Sequence, residues 1–132
     1  MKLVCDLLDE INKDNKALIP NQNNQYLKNL LEHALIPEKK FFLPEGVPPY
    51  KVNQLPSAQL QGAMWNVCKK LYIFCRRDMR ALQRESLFVT SLESVSKQES
   101  ELLIAIKEQT LDKLYPNITR ENINVVIPGY FK

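Results

Sequence analysis

Five prolines fall between residues 37 and 56 of this chain: Pro37, Pro44, Pro48, Pro49 and Pro56. Proline has no backbone N–H and biases the residue before it toward extended geometry, so neither a helix nor a central strand can run through this stretch. The chain is thereby divided into an N-terminal part at 1–36, a proline-rich strap at 37–57 and a C-terminal part at 58–132. An irregular connection of that length is unusual inside a domain and is normally packed or functional. Phe41, Phe42, Leu43, Val47 and Tyr50 lie between its prolines. A stiff segment so furnished can cover apolar surface that the helices leave open, and can present Tyr50 and Lys51 to a partner at little entropic cost.

On both sides of the strap the apolar residues recur at helical spacing. Val4, Leu7, Leu8 and Ile11 predict a short first helix, and Tyr26 to Leu35 a second that stops before Pro37. Ser57 is placed to cap a third helix, with Leu60, Met64, Val67, Cys68, Leu71, Phe74 and Cys75 on one face and Trp65 and Tyr72 at its border. Asp78 would interrupt that face, so it predicts a break near 76–78 and a cap for a fourth helix through Met79, Leu82, Phe88, Val89 and Leu92. Ser96 with Glu99 is a capping-box pattern ahead of Leu102, Leu103 and Ile106. Thr119 starts a last short helix, with a short strand over Ile123–Ile127 as the alternative. The expectation is one all-α domain of five to six short helices joined by a long irregular connection. At 132 residues, 45% apolar and 25% charged, the chain is long enough for a single core and too apolar for wholesale disorder.

Chemistry is harder to find. Gly46, Gly62 and Gly129 stand apart, so there is no glycine-rich phosphate cradle. His33 is the single histidine, and Cys68 and Cys75 are seven residues apart, outside zinc-knuckle spacing, so neither metal nor cofactor is expected. A Cys–His pair with Cys5, Cys68 or Cys75 has no local signature, and a non-catalytic chain is expected. Three cysteines without an export signal point to reduced thiols. No apolar run approaches the roughly 20 residues that span a bilayer, and acids follow closely on MKLVC, so neither a membrane partner nor a signal peptide is expected. The net charge of +3 and pI near 8.7 decide nothing by themselves.

One segment concentrates charge. KKLYIFCRRDMRALQRESLF carries Lys69, Lys70, Arg76, Arg77, Arg80 and Arg84 against Asp78 and Glu85. On a continuous helix Lys69, Arg76, Arg80 and Arg84 would share the face opposite Leu71 and Cys75. Two readings compete: a solvated surface with internal ion pairs, and a binding patch in which Lys69, Arg76, Arg77, Arg80 and Arg84 meet phosphates while Tyr72 or Trp65 stacks on bases.

Together LPEGVPPYK, LYIFCRRDMRALQRESLF, LLIAIKEQTLDKLYPNIT and the C-terminal IPGYF resemble a family of small proteins of unknown function from T-even-like tailed bacteriophages, marine phages included. The resemblance runs over roughly residues 40 to 131. It rests on the "LPEG-PPY" element, on Arg84 and Glu85 before Leu87 and Phe88, and on Pro128. The chain departs from the pattern at residues 75 to 78, where Gly or Pro often marks a turn and Cys-Arg-Arg-Asp stands here. The resemblance implies a phage protein in the cytoplasm of the infected bacterium and supplies no activity. The resulting expectation is an accessory interaction protein acting on a host or phage protein, with nucleic-acid binding through residues 69–84 as the alternative.

Overall fold

The computed structural model describes residues 3–55, 57–60 and 62–131, and the described residues form helices and no strand. Helix α1 (Val4–Lys13) buries Val4, Leu7, Leu8 and Ile11, the i, i+3, i+4, i+7 set of a single apolar stripe. Asp14 then turns extended and its carboxylate accepts from the Lys16 amide, opening a 3-10 stretch over Asn15–Asn21. Asn24 caps α2 (Gln25–Leu35), its side chain accepting from the amides of Tyr26 and Leu27. Pro37 forces Ile36 extended and ends that helix.

A 3-10 turn at Pro37–Lys39 follows, and residues 40–55 adopt neither helix nor strand. The irregular stretch is thus shorter than the proline spacing predicted, and Pro56 lies outside the described residues.

The third helix also differs from expectation. Ser57 begins a 3-10 turn, Ser57–Leu60, and α3 (Ala63–Lys69) starts only after Gly62, whose φ of 91° is the left-handed conformation that interrupts a right-handed helix. Lys70 breaks the run again, and Leu71–Cys75 is 3-10. Alternation of short pieces still keeps Met64, Cys68, Leu71 and Phe74 buried, while Tyr72 faces solvent.

Helix α4 (Ala81–Ser94) has Arg80 at its cap position and no side-chain cap. The predicted Asp78 cap is absent because Arg76, two residues back, takes both carboxylate oxygens at 3.0 and 2.7 Å. A charge-assisted bidentate pair outcompetes a single bond to an amide. Ser96 and Glu99 do form the capping box of α5 (Lys97–Glu108): the Ser96 hydroxyl accepts from the Glu99 amide, and the Glu99 carboxylate accepts from the Ser96 amide. Helices α6 (Leu111–Leu114) and α7 (Arg120–Val126) complete the chain, the latter capped by Thr119, so residues 123–126 are helical rather than strand. The described residues therefore hold seven α-helices, not five to six, several of them a single turn or two.

One apolar core joins all parts. Helix α2, through Leu27, Leu30 and Leu31, packs with α5 and α3, helix α1 packs with α5, and Leu102, Leu103 and Ile106 of α5 stand at the centre. Each such fully buried side chain contributes about 1.5–3 kcal/mol. Phe41 reaches in from the irregular stretch and lies within 5.1–6.2 Å of the rings of His33, Phe74 and Phe88. Tyr130 and Phe131 fold back onto the same core. Cys5, Cys68 and Cys75 are free thiols, and burial pushes the Cys5 thiol up to about 12. Among the described residues no helix is long and apolar enough to cross a membrane.

Candidate interaction surface

Residues 41–53, the strap, run against α4 and α5, and charged side chains hold their backbone. Arg84, only 4% exposed, donates from Nε to the Phe42 carbonyl at 2.6 Å and from Nη1 to the carbonyls of Arg76 and Met79 at 2.9 and 3.0 Å. Its guanidinium also lies 4.5 Å from the centre of the Phe42 ring. Lys107, equally buried, donates to the Pro44 carbonyl at 2.7 Å and pairs with Glu108 at 3.1 Å. The other Glu108 oxygen accepts from the Gly46 amide at 2.7 Å. Further along, Glu93 accepts from the Lys51 amide, its carbonyl accepts from the Asn53 side chain, and Tyr50 bonds Ser100. A proline-rich segment has no ladder of its own to form, so ionised side chains satisfy its polar groups instead. Burial raises the Glu108 carboxyl, but the Gly46 amide and the Lys107 ammonium outweigh it and hold the group below its ordinary range.

This arrangement opens a cleft of about 430 Å³ between strap and α4. Phe88 and Val89 form its floor, Leu43, Pro44 and Val47 one wall, and Leu82 the opposite lip. Val47 is 64% and Leu82 81% exposed. Glu45 and Glu85 also line it, and neither carboxylate has an ion pair or hydrogen bond among the described residues. A second cleft of about 380 Å³ lies on the other flank of α4, lined by Val67, Ile73, Leu87 and Ser91 among others. Helix α4 is thus a ridge with an apolar hollow on each side.

The basic residues named from sequence do not gather on one stripe, because residues 70–80 are not one helix. Arg84 points inward to three carbonyls and is not on the predicted face. Arg76 is exposed but paired with Asp78. Lys69 sits over the Tyr26 ring at 5.4 Å, and Arg77 over Phe42 at 4.7 Å. Arg80 is exposed at the start of α4. Tyr50 is half-buried on Ser100, and Lys51 has its amide bonded and its residue exposed. Sequence reasoning missed the cleft, and with it Leu82, Glu85 and Val89. One signal was present: Leu82, Glu85 and Val89 recur at helical spacing on a face that borders the buried Phe88.

The structure does bring one thiol to the histidine. Cys75 Sγ lies 3.6 Å from His33 Nδ1, but that nitrogen is 2.9 Å from the Lys39 carbonyl. A carbonyl only accepts, so Nδ1 carries the hydrogen and cannot take one from the thiol. The thiol in turn faces the carbonyls of Lys39 and Lys40. Burial lowers the His33 pKa and raises that of Cys75, both opposed to an ion pair. Two donors meet the carbonyls that follow the Pro37–Lys39 turn, and this geometry does not generate a thiolate. No group of three His, Cys, Asp or Glu placed to hold a metal occurs among the described residues.

Among known families, a family of unknown function (DUF6433) matches residues 7–113, a span that includes the strap and both helices that hold it. No curated protein and no solved structure matches the chain.

Proposed function

The chain belongs to the DUF6433 family of unknown function, and from the surface it presents we propose that it is a non-catalytic module that grips a protein partner along α4. In line with the resemblance of its LPEGVPPYK and LYIFCRRDMRALQRESLF segments to proteins of T-even-like tailed phages, it is a phage accessory protein. It works in the cytoplasm of the infected bacterium on a host or phage protein. The observation that carries this reading is the apolar cleft between strap and α4, rimmed by the exposed Val47 and Leu82. Apolar side chains held open to water mark an interaction site when a rigid wall keeps them from collapsing together. Arg84 and Lys107 supply that rigidity, so little ordering is left to be done when a partner binds.

The nucleic-acid alternative keeps Lys69, Lys70, Arg77 and Arg80 at the surface but loses Arg84 to the interior and Arg76 to Asp78. A photo-crosslinking residue at position 82 tests the proposal in infected cells, with position 125 as control, since Val125 and Leu82 are both 81% exposed. A protein adduct at 82, absent at 125 and lost when Val47 is changed to lysine, is expected. Equal adducts at both positions, or none at 82, overturn the reading. If the purified chain instead shows submicromolar, salt-sensitive retention on DNA or RNA that vanishes when Arg76, Arg77 and Arg80 are replaced together, the alternative takes its place.

A further inference from the structure

Resting on that reading, we infer what the partner offers: an amphipathic helix whose apolar anchors enter the strap–α4 cleft and whose flanking lysines or arginines meet Glu45 and Glu85. The strap's backbone argues against a partner that adds a strand. Such a partner would need a run of free amides to pair with, yet Pro44, Pro48 and Pro49 have none. The amides of Gly46 and Lys51 are bonded to Glu108 and Glu93, and the Pro44 carbonyl to Lys107. No ladder can therefore grow along this edge. A helix satisfies its own backbone and needs only side-chain contacts, which the cleft provides through Val47, Leu82, Phe88 and Val89. Its volume of about 430 Å³ lies within the roughly 300–1,000 Å³ of pockets that enclose a ligand.

The sign of the flanking charge follows from the lips. Glu45 is exposed and Glu85 half-buried, both unpaired among the described residues. The cation lining the cleft, Lys107, is buried and already neutralised by Glu108. Arg77 lies over Phe42 and does not line the cleft. The mouth is accordingly negative over an apolar floor, which repels phosphates and favours a basic flank through steering and register.

Three labelled 16-residue helices serve as probes, measured by fluorescence anisotropy against the full chain at low and physiological salt. The first carries leucines at helical spacing flanked by lysines, the second the same leucines flanked by glutamates, the third serines in place of the leucines. The lysine–leucine helix is expected to bind about tenfold more tightly than the glutamate–leucine helix, from ion pairs at the two lips. The serine helix should not bind. Reversing both lips with E45K and E85K should invert the order, and the melting curve of the double variant checks that the fold is intact. Equal affinities, an order unchanged by the reversal, or no binding by either leucine helix overturns the inference. The adduct at position 82 keeps the two ideas apart. If it forms while the helices show no charge preference, the interaction module stands and the basic helix falls.

Discussion

Arg84 is the side chain on which most local geometry converges, for it alone among the described residues satisfies three carbonyls from two separate stretches. Replacing it with methionine keeps the volume but strips those acceptors of their donor inside the protein. A loss of about 3 kcal/mol in urea denaturation is expected, with lysine losing less because one ammonium can follow only part of a planar fork. A methionine variant as stable as the parent would show that water reaches these carbonyls. Glu108 gives a second test at this scale. Its folded-state pKa is depressed, so its stabilisation is fully present above the ordinary value of 4.5 and is lost as pH falls through the folded value. The stability gap between the parent and Glu108→Gln should therefore be constant near neutrality and close in acid. Neither residue was legible as a clamp from sequence. Arg84 reads there as one cation in a charged run and nothing in the sequence singles out Lys107 or Glu108, because the acceptors of Arg84 and Lys107 lie 42 and 63 residues away.

Helix boundaries show the same division between local and distant causes. The Ser96–Glu99 box was readable since all its atoms lie within four residues, and Ser96→Ala should cost about 1 kcal/mol. Asp78 was read as a cap by the same logic, yet it is fully exposed and holds Arg76, so Asp78→Ala should leave the melting curve unchanged. A shift as large as that of Ser96→Ala would restore it as a cap. The long third helix failed for another reason: the apolar stripe persists from Met64 to Phe74 although the backbone is broken at Lys70. Periodicity reports which side is buried, not whether the hydrogen-bond ladder is continuous. Between α2 and α5 lies Gln109, at φ 55°, whose amide donates to the carbonyls of His33 and Ile36 and so closes the end of α2. Gln109→Gly would relieve about 1 kcal/mol of left-handed strain but lose two bonds of about 0.5–1.5 kcal/mol each, so a small net loss of stability is expected. A gain would mean that the amide bonds contribute nothing.

Across the whole molecule α2 and α5 share one core with α1 and α3, so the N-terminal pair has no apolar interior of its own. Unfolding should be a single transition, with far-ultraviolet dichroism and the fluorescence of Trp65, the chain's single tryptophan, giving the same midpoint. Separated curves would show that residues 1–36 melt independently. The all-helical class was legible because amphipathic spacing is local, whereas the cleft was not, because its two walls come from segments about 40 residues apart that meet only after folding. The distance between clamp and strap also has a consequence in time. When Pro44 is joined to the nascent chain, Lys107 is still 63 codons from being made. At the usual 5–20 residues per second, that interval lasts about 3–13 seconds. Until Arg84 and then Lys107 have been made, Phe41 and Phe42 belong to a nascent segment that lacks its full set of anchors. The strap can therefore close fully only after Lys107 has been made.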